Sequence, residues 1–433
     1  MRKAIPILAL ILIVSSAFAD EDFALNVERT VFPDNLTLIT FVDSTAETIS
    51  YQTYINAGSR DETRPGATGL AKIFERLMYR GTEKYPDYSR TVSDIAYNSG
   101  SLTTEDYTLF WINAPSGDLE PIIELESDRV MNLILTPQAY WEERINAARE
   151  RNLKIDSSAS GYLKQELYRL AFRKHTYRHP VLGWERDLKK SLTFDDASQF
   201  KRIFYNPNYC VIVISGKFDQ DRTAELVYEH YGSWRPSLPP TRHPKNEPQQ
   251  KKRKRKNFEW SHDSCCVQVY FGYKAPDLNF DSQDVVALEV AVEILNSAPS
   301  TSSRFAYTLD AHFEAKKDPG ILEILATARA DADVDSIIAD IEDRVSNLHK
   351  DVAWTEAVRS AANKLRMRFL RQFDTSFGTG RAIGHFYLIE GDYRAMSVYH
   401  RMLKEVSPET VESVVSAYLK PENLSIVTLK PAP

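Results

Sequence analysis

The chain has 433 residues, 43% of them hydrophobic and 26% charged, with a formal net charge of −6. That length and apolar content exclude a disordered or low-complexity chain and call for more than one domain. The acidic balance speaks against a nucleic-acid binder, and three cysteines, an odd number, are too few for a disulfide scaffold.

The chain opens MRKAIPILALILIVSSAFAD. Arg2 and Lys3 precede a short apolar run, Ile5 to Val14, and Ala17-Phe18-Ala19 is a small-x-small cleavage pattern. Residues 1–19 are therefore expected to be a secretory signal peptide rather than a membrane span. Cleavage after Ala19 leaves 433 − 19 = 414 residues and moves the formal charge from −6 to about −8, because Arg2 and Lys3 go with the leader. The residue directly after the cleavage point is Asp20, not cysteine, and no later stretch is long and apolar enough to span a bilayer. The mature chain is expected to be exported, with no lipid anchor or membrane span, and periplasmic in a Gram-negative host.

ISYQTYINAG, from Ile49, alternates as a strand. GLAKIFERLMYRGTEKYP, Gly69 to Pro86, reads as a helix and then a turn. Leu70, Ile73, Phe74, Leu77 and Met78 make a buried stripe at helical spacing, and Lys72, Glu75 and Arg76 make the other face. Lys72 and Arg76 are i and i+4, so they project to the same side. Two histidines at that spacing can grip one zinc ion while the glutamate between them activates a bound water. An ammonium and a guanidinium offer no lone pair, so this helix is not expected to hold zinc. Downstream, AYWEERINAARERNLKID places Glu143 and Glu150 seven apart on one helical face with small Ala147 between them. Taken alone, that is also the pattern of a solvated charged helix.

The first half closes with FYNPNYCVIVISGKFD, from Phe204. Trp234 to Lys256, WRPSLPPTRHPKNEPQQKKRKRK, is rich in proline and charge and reads as an extended linker. Its basic run, Lys251 to Lys256, has no interleaved aromatics and is expected to be solvated rather than a dock for an acidic partner or membrane. The second half then repeats the first. CVQVYFGYKAP, from Cys266, is an alternating strand, Ser282 to Leu295 is a long helical pattern, and YLKPENLSIVTLKP, from Tyr418, repeats the helix end, Pro-Asn punctuation and final strand. Adjacent Cys265 and Cys266 on a strand point to opposite faces and do not pair with each other. A bridge from Cys210 to either stays open beside the reading of all three as buried small apolar residues. The expected fold class is α+β, two homologous domains, each a mostly antiparallel sheet with helices packed on one face. The expected boundaries are a leader at 1–19, a first domain at 20–233, a linker at 234–257 and a second domain at 258–433.

GLAKIFERLMYRGT resembles the stretch G-L-A-H-F-L-E-H-M-x-x-x-G-T of the insulinase-like, or pitrilysin-like, zinc peptidases, which include the mitochondrial processing peptidase. It is most similar to their bacterial short-chain members. The match runs through Gly69, Leu70, Ala71, Phe74, Glu75, Met78, Gly81 and Thr82. TTEDYTLFWINAP (from Thr103), LESDRVMNLIL (from Leu125), LAFRKHTYRHPVLGWERDL (from Leu170) and AKKDPGILEILATA (from Ala315) follow the family in order and spacing. The resemblance implies that Glu75 falls on the family's catalytic base, Glu150 on its third zinc ligand and Glu143 on a supporting glutamate. Both H-x-x-E-H histidines are replaced, by Lys72 and Arg76. The site is therefore expected to be degenerate, with no metal of its own and no intact catalytic residue.

Other departures accompany that one. His175 and His179 are i, i+4, but the family carries histidine there without metal binding, and they are expected to pack the loop or face the substrate side. NSGSLTTEDYT, from Asn98, is shorter than the family's equivalent, where an edge strand pairs with the substrate backbone. That strand is left unassigned. SSRFAYTLDAHFEAKKDPG, from Ser302, is shorter than the family's S-S-R-L helix and substrate-grasping segment. The resemblance makes Tyr307 the substrate-binding tyrosine and leaves Arg304 as the candidate for its arginine.

Two neutral histidines and a zinc ion carry a charge of 2+, as do a lysine and an arginine. Lys72 and Arg76 are therefore expected to replace the metal as counter-ions of Glu150 and Glu143, in an ion-pair network that keeps the acids ionised. A structure with no basic nitrogen of Lys72 or Arg76 near Glu150 would overturn this. The resemblance implies a non-catalytic, substrate-binding subunit of a two-chain exported peptidase, partnered by a homologous chain that carries the zinc, with a peptide as substrate. The competing readings are a peptide-binding scaffold, alone or as a homodimer, and a residual metallopeptidase using Glu75, Glu143 and Glu150.

Overall fold

A computed structural model describes residues 23, 25–240, 243–261, 266–297, 307–350 and 352–432. The expected leader, Cys265 and Arg304 lie outside the described residues. The first half holds strands β1 (Val27–Val31), β2 (Thr37–Val42), β3 (Thr48–Ile55), β4 (Asn98–Thr103), β5 (Thr108–Pro115) and β6 (Cys210–Gly216). Its helices are α1 (Leu70–Leu77), α2 (Tyr88–Ile95), α3 (Leu119–Asn132), α4 (Pro137–Arg151), α5 (Ala159–Ala171), α6 (Phe194–Phe204) and α7 (Gln220–Tyr231). The second half holds β7 (Lys254–Trp260), β8 (Cys266–Lys274), β9 (Tyr307–His312), β10 (Ile321–Arg329) and β11 (Leu424–Pro431). Its helices are α8 (Asp284–Ser297), α9 (Val334–Ser346), α10 (Trp354–Leu370), α11 (Ser376–Glu390), α12 (Ala395–Glu405) and α13 (Pro408–Tyr418).

The first sheet runs β1-β2-β6-β3-β5-β4 and the second β7-β11-β8-β10-β9. Each has one parallel pair, β2 with β6 and β7 with β11, and is otherwise antiparallel. The second sheet thus reproduces five strands of the first in the same order, with the parallel pair at the same place. The α+β duplication read from the sequence is the architecture.

The central strands are buried on both faces. In β3, Ile49, Tyr51 and Ile55 face a core shared with α1, α3, α4, α6 and α7. On the opposite face Tyr54 packs with Ile39, Leu109 and Val213 against Ile383 and Phe386 of α11, a helix from the second half. The polar alternation of β3 meets backbone of the α11 end rather than water: Gln52 donates to the carbonyl of Phe377 at 2.9 Å, and Ser215 of β6 donates to that of Ser376 at 2.6 Å. The exchange is reciprocal. Leu163, Leu167 and Tyr168 of α5, from the first half, cover Tyr270, Val427 and Leu429 on the outer face of the second sheet. Each sheet carries helices of its own half on one face and a helix borrowed from the other half, α11 or α5, on the opposite face.

The linker expected over 234–257 is shorter at its C-terminal end, because Lys254–Trp260 forms β7, parallel to β11. Its basic residues are solvated as expected, Lys254 only in part, and four of them also find partners. Arg253 pairs with Glu342 at 3.1 Å, Arg255 with Asp335 at 2.6 Å and Lys256 with Glu166 of α5 at 3.1 Å, while the Lys254 ammonium donates to the Leu170 carbonyl at 2.9 Å. Charged side chains on an edge strand discourage further pairing, and they leave the segment without the apolar alternation by which a strand is read. Ahead of it, Glu247 accepts from the backbone N–H groups of Arg173, Lys174 and His175 at 2.8–3.0 Å. The halves also meet where Lys317 donates its N–H to Asp106 at 3.2 Å and Asp318 accepts from Arg60 at 2.8 Å.

Candidate functional site

Helix α1 is preceded by Gly69, whose φ of +95° is left-handed and therefore suits glycine. Its first N–H groups are capped by buried Glu62, which accepts from Gly69 at 2.7 Å and Ala71 at 2.8 Å. Burial pushes the Glu62 carboxyl well up, against the pull of those two bonds. The helix sinks Ile73, Phe74, Leu77 and Met78 into the first core and turns Lys72 and Arg76 towards α4. Helix α4 starts at Thr136, which caps the N–H of Ala139 at 3.1 Å, and presses fully buried Ala147 against the same core. That small residue leaves the space between Glu143 and Glu150 open to the side chains of α1.

The five sequence-predicted residues of the motif meet there. Lys72 Nζ lies 2.9 and 3.0 Å from the two oxygens of Glu75 and 3.6 Å from Glu150 Oε1. Arg76 Nε donates to Glu143 Oε2 at 2.9 Å and its Nη1 to Glu150 Oε2 at 3.3 Å. Two further cations belong to the cluster that the sequence reading missed. Arg80 donates to Glu143 Oε1 at 2.6 Å and pairs with Glu142 at 2.7 Å, and Lys154 donates to Glu150 Oε1 at 2.7 Å. Lys154 was readable as a Glu-to-Lys i, i+4 pair, whereas Arg80 lies beyond the end of α1, where helical spacing no longer applies. Four cations thus face four carboxylates. Burial pushes the Glu150 carboxyl up, but the Lys154 hydrogen bond and the charges of Lys72 and Arg76 outweigh it and hold it below the usual carboxylate range. Glu75 also accepts from Ser101 at 2.8 Å and from Thr103, both on β4. The strand left unassigned from the sequence is therefore present and lies against the motif. Among the described residues nothing pairs with its outer edge.

The remaining candidates lie elsewhere. Tyr307, on β9, is buried in the second core and donates to Asp340 of α9 at 2.5 Å. It is turned towards that helix and packs in the core of the second half, apart from the α1–α4 cluster. His175 accepts the Tyr177 N–H at Nδ1, which leaves Nε2 to donate to Asp318 at 3.1 Å. His179 is buried with Nδ1 3.2 Å from the Pro180 carbonyl, and burial lowers it to about 4. The two imidazoles serve different partners in a packed loop and do not converge. Cys210 is a buried thiol at the head of β6 and is not bridged to Cys266.

Residues 38–184 match the sequence model of the insulinase family (peptidase family M16), and residues 191–364 match that of the peptidase M16 inactive domain. The chain belongs to the M16 peptidase family. It is 23% identical over 396 residues, 86% of either chain, to a Helicobacter pylori protein named zinc protease PqqE. It is 22% identical to an Arabidopsis thaliana relative named probable mitochondrial-processing peptidase subunit beta, over 93% of this chain and 78% of the relative. A crystal structure described as a protease from Helicobacter pylori superposes with a TM-score of 0.87 at 20% identity, over 94% of this chain and all of that one.

The zinc that goes with an M16 motif does not fit the residues present here. Lysine and arginine stand where lone pairs are needed, and each of Glu75, Glu143 and Glu150 is already engaged by cations of the same cluster. Among the described residues no other group of histidine, cysteine and carboxylate side chains is arranged to hold a metal ion.

Proposed function

We propose that this M16 chain is the non-catalytic, peptide-binding subunit of a two-chain exported peptidase whose zinc is carried by a homologous partner. One observation carries the reading: Lys72 and Arg76 fill both histidine positions of the motif and pair with the carboxylates left behind. With no metal-bound water, Glu75 has nothing to activate. The capacity to hold a peptide is retained separately, because β4 offers an open edge on which an extended backbone can add as a further strand. The Arabidopsis relative, by its name one subunit of a processing peptidase, supports the paired arrangement.

A native pull-down of the tagged chain from its host, with mass spectrometry, tests this. The expected result is a stoichiometric homologue with an intact H-x-x-E-H motif. Recovery of the chain alone, or only with itself, overturns the subunit reading in favour of a peptide-binding scaffold. The purified chain is expected to cleave no peptide, and a chelator is expected to leave its melting temperature unchanged. Chelator-sensitive cleavage would instead mark a residual metallopeptidase.

A further inference from the structure

The glutamate at the centre of the motif is fully occupied. Glu75 is 6% exposed, and its Oε1 accepts from Lys72 Nζ at 2.9 Å and Ser101 Oγ at 2.8 Å. Its Oε2 accepts from Lys72 Nζ at 3.0 Å and from Thr103 Oγ1. Ser101 and Thr103 are alternate residues of β4, so both hydroxyls project from one face of the strand onto one carboxylate. Strand β4 has a single ladder neighbour, β5, so half of its backbone groups are left without a strand partner. We propose that Glu75 is a positioning residue: it brackets β4 onto α1 and so holds the open edge straight for an extended peptide. Lys72 supplies the charge that lets this carboxylate stay buried. The substitution that removes a metal ligand thus also provides the counter-ion of the bracket. The inference rests on β4 being the docking edge.

Hydrogen exchange on the full chain tests it with three variants: Glu75→Ala, Glu75→Gln, and the double variant Ser101→Ala/Thr103→Val. Glutamine keeps an acceptor for one hydroxyl and a donor for the other, while alanine keeps neither. Amide exchange over residues 98–103 is expected to accelerate about tenfold or more in Glu75→Ala and in the double variant, and to stay near wild type in Glu75→Gln, with β3 and β6 unchanged throughout. Binding of a short fluorescein-labelled peptide of alternating valine and threonine, followed by anisotropy, is expected to weaken about tenfold in the first two and to persist in Glu75→Gln. Unchanged exchange over 98–103 in Glu75→Ala, or equal acceleration in Glu75→Gln, overturns the bracket. Loosened exchange with unchanged binding overturns the positioning role through the docking edge rather than through Glu75. Should Glu75→Ala fail to fold, the double variant carries the test, since it leaves every charge of the cluster in place.

Discussion

Arg76 bridges Glu143 and Glu150, two carboxylates a heptad apart on α4. Arg76→Met is expected to lower stability by about 1–3 kcal/mol at pH 7, because partly buried carboxylates lose a charged partner while Arg80, Lys72 and Lys154 remain. The sign of the pH effect follows from Glu150. Its folded pKa lies below its unfolded one, so its ion pairs stabilise above the unfolded value and that contribution is lost as pH falls through the folded value. Guanidinium midpoints should therefore separate wild type from Arg76→Met at pH 7 and draw together as pH falls below the usual carboxylate range; a gap that does not narrow with falling pH would rule out Glu150 as the source. His179 works over a different range. Burial lowers it to about 4, so the unfolded chain binds the proton first and stability drains away as pH falls from about 6.5 to 4. His179→Asn, which keeps a donor for the Pro180 carbonyl, should flatten the denaturation midpoint across that interval. The spacing of Lys72, Glu75 and Arg76 and the heptad of Glu143 and Glu150 were legible because one helical turn sets them. The inward turn of Tyr307 onto Asp340 was not, since it depends on where α9 packs.

At the scale of the element, α11 lies directly on the first sheet because Gly380 and Gly384 clear its path. A Cβ on Gly384 would sit 2.3–2.4 Å from the Tyr54 ring, whose hydroxyl is held by Gln52 at 2.9 Å. Gly384→Ala would gain about 1 kcal/mol of helix propensity and lose about 1–3 to overpacking against a ring that cannot swing away. A net loss is expected, read as a lower melting temperature together with faster amide exchange in α11. A stabilised variant would mean that the helix floats above the sheet. The sequence showed β3, β6, β8 and β11 and the helices α1 and α8, because their apolar periods are local. It did not show which helix covers the outer face of each sheet. Ser50, Gln52 and Ser215 look like solvent-facing positions, yet they are buried, and Gln52 and Ser215 bond to backbone at the start of α11, which lies more than a hundred and fifty residues away.

At the scale of the molecule, the exchange of α5 and α11 binds the two halves more firmly than the segment joining them. A protease site placed between residues 240 and 243 and cut after folding should leave the two pieces co-eluting on size exclusion and melting in one transition. Separation of the pieces would show that the borrowed helices contribute little. The duplication itself was legible in the repeated helix end and final strand of each half. The reciprocal exchange was not, because nothing local distinguishes a helix that covers its own sheet from one that covers the other. The same exchange also orders events in time. The last strand of the first sheet ends at Gly216, but the helix that covers its outer face begins only at Ser376. At roughly 5–20 residues per second, on the order of ten to thirty seconds of synthesis separate the two. Throughout that interval Ile39, Tyr54, Leu109 and Val213 have no cover on the ribosome-borne chain. The earliest-made sheet is finished by some of the latest-made residues, so the nascent polypeptide has no completed half-way product.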